Sequence, residues 1–229
     1  MRRSTPLALA ALAVVLAGCG NGVPPVPADA PPPAATATVT SSGAGETRQV
    51  SGFSAVELSS VGDLRIEQTG TESLTIEAAP DVLPLLTSEV SGGVLRLGVV
   101  PGADFRTDQP IVYRLTVDAL DALTVSGAGD ATAAALRTGA LTVDITGAGD
   151  VTLGGTADSQ VVTIGGSGDY DAQDLQTATA TLTVDGAGDA VVRVSDRLDV
   201  TVGGAGSVEY IGDPQVTQDV SGAGDVERR

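Results

Sequence analysis

The tetrapeptide Gly127-Ala128-Gly129-Asp130 occurs six times, with small changes, in the second half of this 229-residue chain. Every copy has glycine at its first and third positions, and all but one have aspartate at the fourth. The later copies begin at Gly147, Gly166, Gly186, Gly204 and Gly222. The distances between successive first glycines are 20, 19, 20, 18 and 18 residues. A nearly constant period of this length indicates a solenoid, in which each copy forms one coil.

Each copy is preceded by alternating apolar and polar residues. The position two residues before the first glycine is always β-branched: Val125, Ile145, Ile164, Val184, Val202 and Val220. The position four residues before it is apolar in all copies but the last, which has Gln218, and a polar residue such as Thr183 stands between the two. This alternation predicts a strand with one buried face, and apolar residues after the corner, such as Val151 and Tyr170, predict a second strand.

The corner residues have separate expected roles. Glycine can adopt positive φ without a Cβ clash, so we expect the corner glycines to supply a left-handed turn. Aspartate can accept hydrogen bonds from nearby backbone N–H groups, so we expect the aspartates to cap the corners. Ser207 replaces the aspartate in the fifth copy.

One copy of the repeat occurs much earlier in the chain. Ser60-Val61-Gly62-Asp63 has Val56 and Leu58 before it and Leu64 and Ile66 after it, in the same frame. This copy ties residues near 50 to the same solenoid. The predicted fold class is therefore all-β, a parallel β-helix for which we expect a right-handed winding. We expect about 18–20 residues per coil and about nine coils between residues 48 and 229.

Composition limits both the core and the partners. Aromatic residues make up 2% of the chain, and Trp and His are absent, so the interior must consist of Val, Leu, Ile and Ala. The formal net charge is −17, and all 12 basic residues are Arg. Binding to nucleic acid needs clustered cations, so this acidic balance argues against a nucleic-acid partner.

Residues 1–19 have the pattern of an export signal. Arg2 and Arg3 form a charged start, and an apolar run follows from Leu7 to Leu16. The segment ends in Leu16-Ala17-Gly18-Cys19, which resembles the lipobox of bacterial lipoproteins, in which the cysteine becomes lipidated and forms the new N-terminus. We therefore expect Cys19 to attach the protein to a bacterial membrane, on its periplasmic or cell-surface side. The alternative is an ordinary cleaved signal with an incidental cysteine.

The rest of the chain divides into a tether and a solenoid domain. Residues 20–47 are rich in Pro, Ala and Thr, a composition that favours disordered chain, so we assign them to a tether. Residues 48–229 form the solenoid, with irregular coils over 48–118 and the regular Gly-x-Gly-Asp repeats over 119–229. Within the irregular part, Glu89 to Val99 predicts a hairpin that turns at Ser91-Gly92-Gly93.

The segment Arg48-Gln49-Val50-Ser51-Gly52-Phe53-Ser54-Ala55-Val56-Glu57-Leu58 precedes the Gly-x-Gly-Asp turns. Together they resemble a known family, the auto-transporter adhesin head domain, also called the GIN domain. The resemblance covers residues 47–229. It implies an exported, often lipid-anchored, β-helical protein, and it brings no catalytic residues with it.

The column of aspartates is the most suggestive candidate site. In a parallel stack, equivalent residues of adjacent coils lie about 4.8 Å apart, where two carboxylates repel by roughly 1 kcal/mol in water. A hydrogen bond that each carboxylate accepts from its corner offsets a similar amount, so the column needs no cation. Calcium is the alternative, because it prefers several carboxylate and carbonyl oxygens. Its weak candidates are Asp130, Asp150, Asp169 and Asp189.

Two other functions are weighed against ordinary structure. Outward threonines suggest a flat hydroxyl face of the ice-binding kind, but ordinary β-propensity explains them better; they are Thr124, Thr163, Thr183 and Thr201. A polysaccharide lyase or hydrolase would need paired carboxylates that converge in a groove, such as Asp169 with Asp171 or Asp171 with Asp174. Solvated corners explain these acids better in a chain without His or Lys.

The sequence therefore predicts a non-catalytic, lipid-anchored, extracytoplasmic binding or structural module of the bacterial cell envelope. It would resemble an adhesin head and use no cofactor. Its ligand would be an envelope or extracellular molecule, and not a nucleic acid. A carbohydrate-active β-helix enzyme and a calcium-dependent surface binding protein are the alternatives.

Overall fold

The computed structural model of the protein describes residues 39–42 and 45–229. The strands, in chain order, are β1 (Val39–Ser42), β2 (Gly45–Arg48), β3 (Ala55–Leu58), β4 (Asp63–Gln68), β5 (Ser73–Glu77), β6 (Leu86–Ser91), β7 (Val94–Val99), β8 (Val112–Val117), β9 (Ala122–Val125), β10 (Ala131–Ile145), β11 (Val151–Ile164), β12 (Tyr170–Val184), β13 (Ala190–Val202), β14 (Val208–Ile211), β15 (Gln215–Val220) and β16 (Val226–Arg228). A 3-10 turn, Leu83–Leu85, precedes β6. The predicted leader with Cys19, and most of the predicted tether, lie outside the described residues.

The regular part of the solenoid is built by β10 to β13. Each of these long strands makes most of one coil and pairs in parallel with the next. The register places the predicted β-branched residues in one column: Val125, Ile145, Ile164, Val184 and Val202. Val184 is fully buried, whereas its neighbour Thr183 is partly exposed. The parallel solenoid and its inward face are therefore confirmed.

The early copy of the repeat belongs to the same stack. Strand β3 pairs in parallel with β9, and β4 pairs in parallel with β10. The register sets Val56 against Leu123 and Leu64 against Ala131. This alignment is the one that the sequence repeat predicts.

The expectation of about nine successive coils is wrong, and the solenoid has about five turns. Strands β7 and β8 stack in parallel on β3 and β4, so the β3–β4 coil lies between β7–β8 and β9–β10. Strands β5 and β6 run antiparallel to β8 and β7. Much of the irregular part therefore forms an antiparallel cover for one end of the stack and adds no further coils.

The predicted hairpin and the start of the domain are both visible at this end. Strands β6 and β7 form an antiparallel hairpin whose turn residues Gly92 and Gly93 have φ values of 60° and 80°, as the sequence predicts. Strand β1 pairs with β2, and β2 pairs antiparallel with β5. The sheet therefore begins before residue 48, within residues that composition assigns to the tether. Composition misses this because the Arg48 side chain, which is described below, holds β2 against distant backbone.

The interior is apolar, as the composition requires. Buried Val, Leu, Ile and Ala line it, and Tyr113 and Tyr170 are the largest fully buried side chains. The described part of the chain contains no helix with the length and hydrophobicity that a membrane crossing requires.

Candidate functional site

The regular corners stack so closely that only glycine fits at their first and third positions. The Ala148 N–H donates to the Gly127 carbonyl at 3.0 Å, and the Ser167 N–H donates to the Gly147 carbonyl at 2.9 Å. A Cβ built on Gly147 or Gly166 would overlap the carbonyl oxygen of the corner below. None of these repeat glycines has positive φ. In the six regular copies the expected left-handed turn is therefore wrong, and the glycines are needed for the approach of one backbone to the next. In the early copy, Gly62 does have positive φ, at 107°.

The aspartates form a ladder of bonds between coils. Oδ1 of Asp130 accepts the Asp150 N–H at 2.9 Å, and Oδ1 of Asp150 accepts the Asp169 N–H at 2.9 Å. Asp169 does the same for Asp189 at 2.8 Å, and Asp189 for Ser207 at 2.7 Å. Each carboxylate thus caps the N–H of the next coil. Ser207 ends this ladder, because its side chain has no carboxylate to offer to the next corner.

This aspartate ladder fits corner capping. One oxygen of each carboxylate is used by a backbone N–H, which is a charge-assisted bond. Within residues 39–42 and 45–229, no three His, Cys, Asp or Glu side chains are grouped to hold a metal ion. Asp63, the equivalent of these aspartates in the early copy, instead faces Arg65 at 3.6 Å. Calcium binding by Asp130, Asp150, Asp169 and Asp189 stays a prediction to be tested.

A shallow groove of about 330 Å³ crosses the strands that follow the corners, and Glu67 and Asp174 both line it. Three strand spacings separate these two residues, because β4, β10, β11 and β12 are successive neighbours. Their backbones are therefore about 14 Å apart. Glycosidase carboxylates stand about 5 to 9.5 Å apart. The neighbouring Asp171 accepts both the N–H and the side-chain amide of Gln173, at 3.0 and 3.2 Å.

The strands that precede the corners present a flat outer face, which we call the threonine wall. It consists of the outward residues of β9, the C-terminal halves of β10 to β13, and β15. In register, its two columns are Thr124, Asp144, Thr163, Thr183, Thr201 and Asp219, and Ala122, Thr142, Val161, Thr181, Asp199 and Thr217. Val161 is 47% exposed, so the wall is not purely polar. It offers hydroxyl and methyl groups at a regular strand spacing.

A second cleft lies elsewhere, where β12, β13 and the link between β14 and β15 meet. We call it the Arg193 cleft. It has a volume of about 680 Å³, and its lining includes Thr156, Gln176, Arg193, Ser195 and Asp213. Sequence reasoning missed this cleft. The available signal was the shortening of the repeat from 20 to 18 residues after Gly186, which breaks the register of the stack at this point.

A buried polar network lies beside the cleft. The Tyr170 hydroxyl donates to Gln160 Oε1 at 2.7 Å, and Gln160 Nε2 donates to Thr177 Oγ1 at 3.1 Å. Thr177 Oγ1 in turn donates to the carbonyl oxygen of Arg193 at 2.9 Å. Burial raises the pKa of the Tyr170 phenol well above its ordinary value. Gln160 was also missed, because its amide occupies a position that is apolar in the adjacent coils, as Leu141 is.

A family model described as "putative auto-transporter adhesin, head GIN domain" matches residues 52–214. The chain belongs to this family. The match begins within the Val50-Ser51-Gly52-Phe53 segment and includes five of the six regular corners, so the predicted resemblance is confirmed. A comparison with curated proteins finds no match.

Solved structures show the same fold as this GIN domain. A "putative adhesin" from Bacteroides fragilis superimposes with a TM-score of 0.67 and 22% identity, over 80% of this chain and 95% of that one. A "putative lipid binding protein" from Parabacteroides distasonis superimposes with a TM-score of 0.51 and 17% identity, over 82% of this chain and 97% of that one. At these identities the likeness concerns the fold.

Proposed function

We propose that this protein is a non-catalytic binding module of the bacterial cell envelope, held to a membrane by lipid at Cys19, and that the threonine wall is its binding surface. Membership of the adhesin-head family supports a binding role. The two structural neighbours, a "putative adhesin" and a "putative lipid binding protein", are also described by a binding role. The wall itself is the observation that carries the proposal.

The geometry of the wall suits an extended partner. Its columns run in register through six neighbouring strands, at about 4.8 Å per strand, so the backbone beneath them is fixed by the ladder of hydrogen bonds. A rigid surface loses little conformational entropy on binding. Threonine offers both a methyl group and a hydroxyl group, which matches partners that carry alternating apolar and polar groups, such as polysaccharide chains.

The wall can be tested with two matched substitutions. Thr181→Asp places a charge on the wall, and Thr152→Asp places the same charge on the face that follows the corners; both side chains are exposed. Cells that display the full chain are tested for adhesion to immobilised polysaccharides and extracellular glycoproteins. We expect Thr181→Asp to reduce adhesion and Thr152→Asp to leave it unchanged. Equal adhesion by cells with and without the protein on every surface would refute the binding role.

The anchor needs its own test, because Cys19 lies outside the described residues. Cys19→Ser in the full chain should move the protein from the membrane fraction to the soluble fraction, or leave its leader uncleaved. The lipobox-like Leu16-Ala17-Gly18-Cys19 motivates this expectation. Unchanged partition and unchanged electrophoretic mobility would show that Cys19 is not lipidated.

The enzymatic alternative is tested on the same materials. The full chain is incubated with polysaccharides, glycosides and esters at several pH values, with and without calcium. Since the two acids of the shallow groove stand too far apart for paired action, we expect no turnover. Turnover that a single substitution such as Asp174→Asn abolishes would show that the protein is an enzyme.

A further inference from the structure

The Arg193 cleft has the size and the lining of a small-molecule site. Ligand sites generally occupy about 300–1,000 Å³, and this cleft has about 680 Å³. It lies on a third face of the solenoid, between the wall and the strands that follow the corners. An inference about it therefore goes beyond the proposed function of the wall.

The stack is interrupted at this cleft. Ala172 pairs with Val192, but the next pair is Gln176 with Arg193, so the three residues between them in β12 have no partner in β13. A second register shift follows between Thr177 and Thr179. Interruptions of this kind re-aim side chains and are common next to active sites. Here the interruption coincides with the cleft.

Arg193 is held at the interruption by one nitrogen. Its Nε donates to the carbonyl oxygen of Gln173, one of the β12 residues without a partner in β13, at 2.6 Å, and its own carbonyl oxygen accepts the Thr177 hydroxyl at 2.9 Å. The two Nη groups carry four further N–H donors, for which the described residues supply no hydrogen-bond partner. A guanidinium fixed through Nε presents those donors as a planar fork.

The charge of Arg193 is uncompensated in an otherwise acidic protein. Seven arginines of the described part form ion pairs with Asp or Glu, and Arg193 is not among them. Arg106 and Arg137 also lack such a pair, but both are exposed, whereas Arg193 is partly buried. Asp213, the acid of the cleft lining, pairs with Arg228 at 3.0 Å. A partly buried cation without a counter-ion favours an anionic ligand.

The rest of the lining specifies what the anion carries. Thr156, Gln176 and Ser195 supply hydroxyl and amide groups, and Asp213 supplies a carboxylate that can accept hydrogen bonds from ligand hydroxyls. Ala178 and Val194 add an apolar floor. A carboxylate is the anion that fits the fork of arginine with two parallel bonds. The geometry points to a hydroxylated carboxylate as the ligand of this cleft, the chemistry of a uronic acid, with its carboxylate on Arg193.

Calorimetric titration of the full chain in detergent tests the inference. The probes are D-galacturonate and D-glucuronate, with neutral D-galactose and D-glucose as controls that lack only the carboxylate. We expect the uronates to bind at least about tenfold more tightly than the neutral sugars, since each lost charge-assisted pair changes affinity by about this factor. No uronate binding at about 10 mM, or equal binding of the neutral sugars, would overturn the inference.

Four variants, one of them a control, locate the binding. Arg193→Gln should weaken uronate binding about tenfold or more, and Arg193→Lys should restore part of it. Gln176→Glu leaves the Arg193–Gln173 bond intact and changes an exposed side chain, so it should fold normally and repel the uronate. Arg137→Gln is the matched control, because Arg137 lies in the same outward column, paired through Thr156 and Gln176. An effect of Arg137→Gln equal to that of Arg193→Gln would also overturn the inference.

Free acids and polysaccharide residues share this chemistry, and an oligo-galacturonate probe separates them. Tighter binding of the oligomer than of the monomer, still dependent on Arg193, would support a polysaccharide as the source. Equal binding per uronate would support a free acid. The adhesion assay with Thr181→Asp is independent of this titration, so failure of the cleft and failure of the wall can be told apart.

Discussion

The irregular part of the solenoid, residues 45–118, and the regular stack, residues 119–229, are held together by different groups. In the irregular part, long polar side chains reach distant backbone. Arg48 donates to the carbonyl oxygens of Leu86 at 2.8 Å and Leu83 at 3.1 Å, and the Glu72 carboxylate accepts the N–H groups of Gly52 and Phe53. In the regular stack, the backbone N–H groups of one coil donate hydrogen bonds directly to the carbonyl oxygens of the next. The short aspartate side chains add one hydrogen bond at each corner of the ladder.

The difference shows where each part is sensitive to substitution. A repeating coil brings the same atoms together in every layer. Layers that approach closely at a corner therefore need the smallest residue, glycine, at the same position of each coil. An irregular cover has no such periodicity, and its strands leave carbonyl groups that a side chain must satisfy. Substitution of a corner glycine should therefore destabilise the regular stack most, and substitution of the buried Arg48 should destabilise the irregular part most.

The largest effect is expected from Gly166→Ala in the regular stack. Its methyl group would overlap the Gly147 carbonyl oxygen, so two coils must separate, and we expect a loss of about 4 kcal/mol or more in the free energy of unfolding. Gly165→Ala is the matched control, because nothing lies within 4 Å of its added Cβ. It should change stability by less than about 0.5 kcal/mol. Urea unfolding of the full chain measures both, and similar losses would contradict the close-approach explanation.

Arg48→Met tests the irregular part. Arg48 is 6% exposed and pairs with Glu46 at 2.7 Å, so its removal leaves a carboxylate and two carbonyl groups without their partner. We expect a loss of about 3 kcal/mol in the free energy of unfolding. Arg96→Met removes an exposed pair with Glu57 and should cost about 1 kcal/mol or less. Hydrogen exchange should rise in β2 and β6 with Arg48→Met. A uniform rise across the regular stack would contradict a local role for Arg48.

The sequence predicts the regular stack well because each coil repeats the same physical requirements. The alternation around Val184 sets the strand and its inward face, and the early Gly62-Asp63 copy falls into register without adjustment. The position of the β3–β4 coil between β7–β8 and β9–β10 could not be predicted. It depends on long-range parallel pairing, which leaves no periodic signal between residues 64 and 118.

The candidate site was predicted in part for the same reason. The aspartate ladder repeats and is visible in the sequence, although its bonds run to the next coil and not within the corner. The Arg193 cleft arises from a register shift between two coils of unequal length. A single arginine and a repeat that is two residues shorter do not reveal in the sequence that Gln173 has no pairing partner in β13.

Tyr113 in the irregular part and Tyr170 in the regular stack are both buried, so the stability of the two parts can be compared at high pH. Burial raises the pKa of both phenols, while for Tyr113 the bond to Ser60 and the charge of Arg48 oppose the rise. Above pH about 10 the unfolded chain releases a phenolic proton that the folded chain keeps, so the free energy of unfolding falls by up to about 1.4 kcal/mol per pH unit. The chain has no lysine to add its own titration in this window.

Tyr170→Phe should therefore flatten the decline of stability between pH about 10 and 11 more than Tyr113→Phe does. Thermal or urea unfolding at a series of pH values gives the slopes. Identical slopes for the wild type and both variants would contradict the burial effect. A larger change with Tyr113→Phe would show that the irregular part shields its phenol better than the regular stack.

The smallest effect is expected in the aspartate ladder. Removing the charge of one of its carboxylates should hardly change the free energy of unfolding. Asp150→Asn keeps an oxygen for the Asp169 N–H and relieves repulsion from Asp130 and Asp169, so two small effects oppose each other, and stability should change by less than about 0.5 kcal/mol.

Millimolar calcium should raise Tm by no more than about 2 °C, as screening of a charge of −17 would. Asp63→Asn is the control from the irregular part, since Asp63 faces Arg65 outside the ladder. A large rise in Tm that saturates at micromolar calcium, and that Asp150→Asn but not Asp63→Asn removes, would show a specific site, because only binding to the folded state stabilises by mass action.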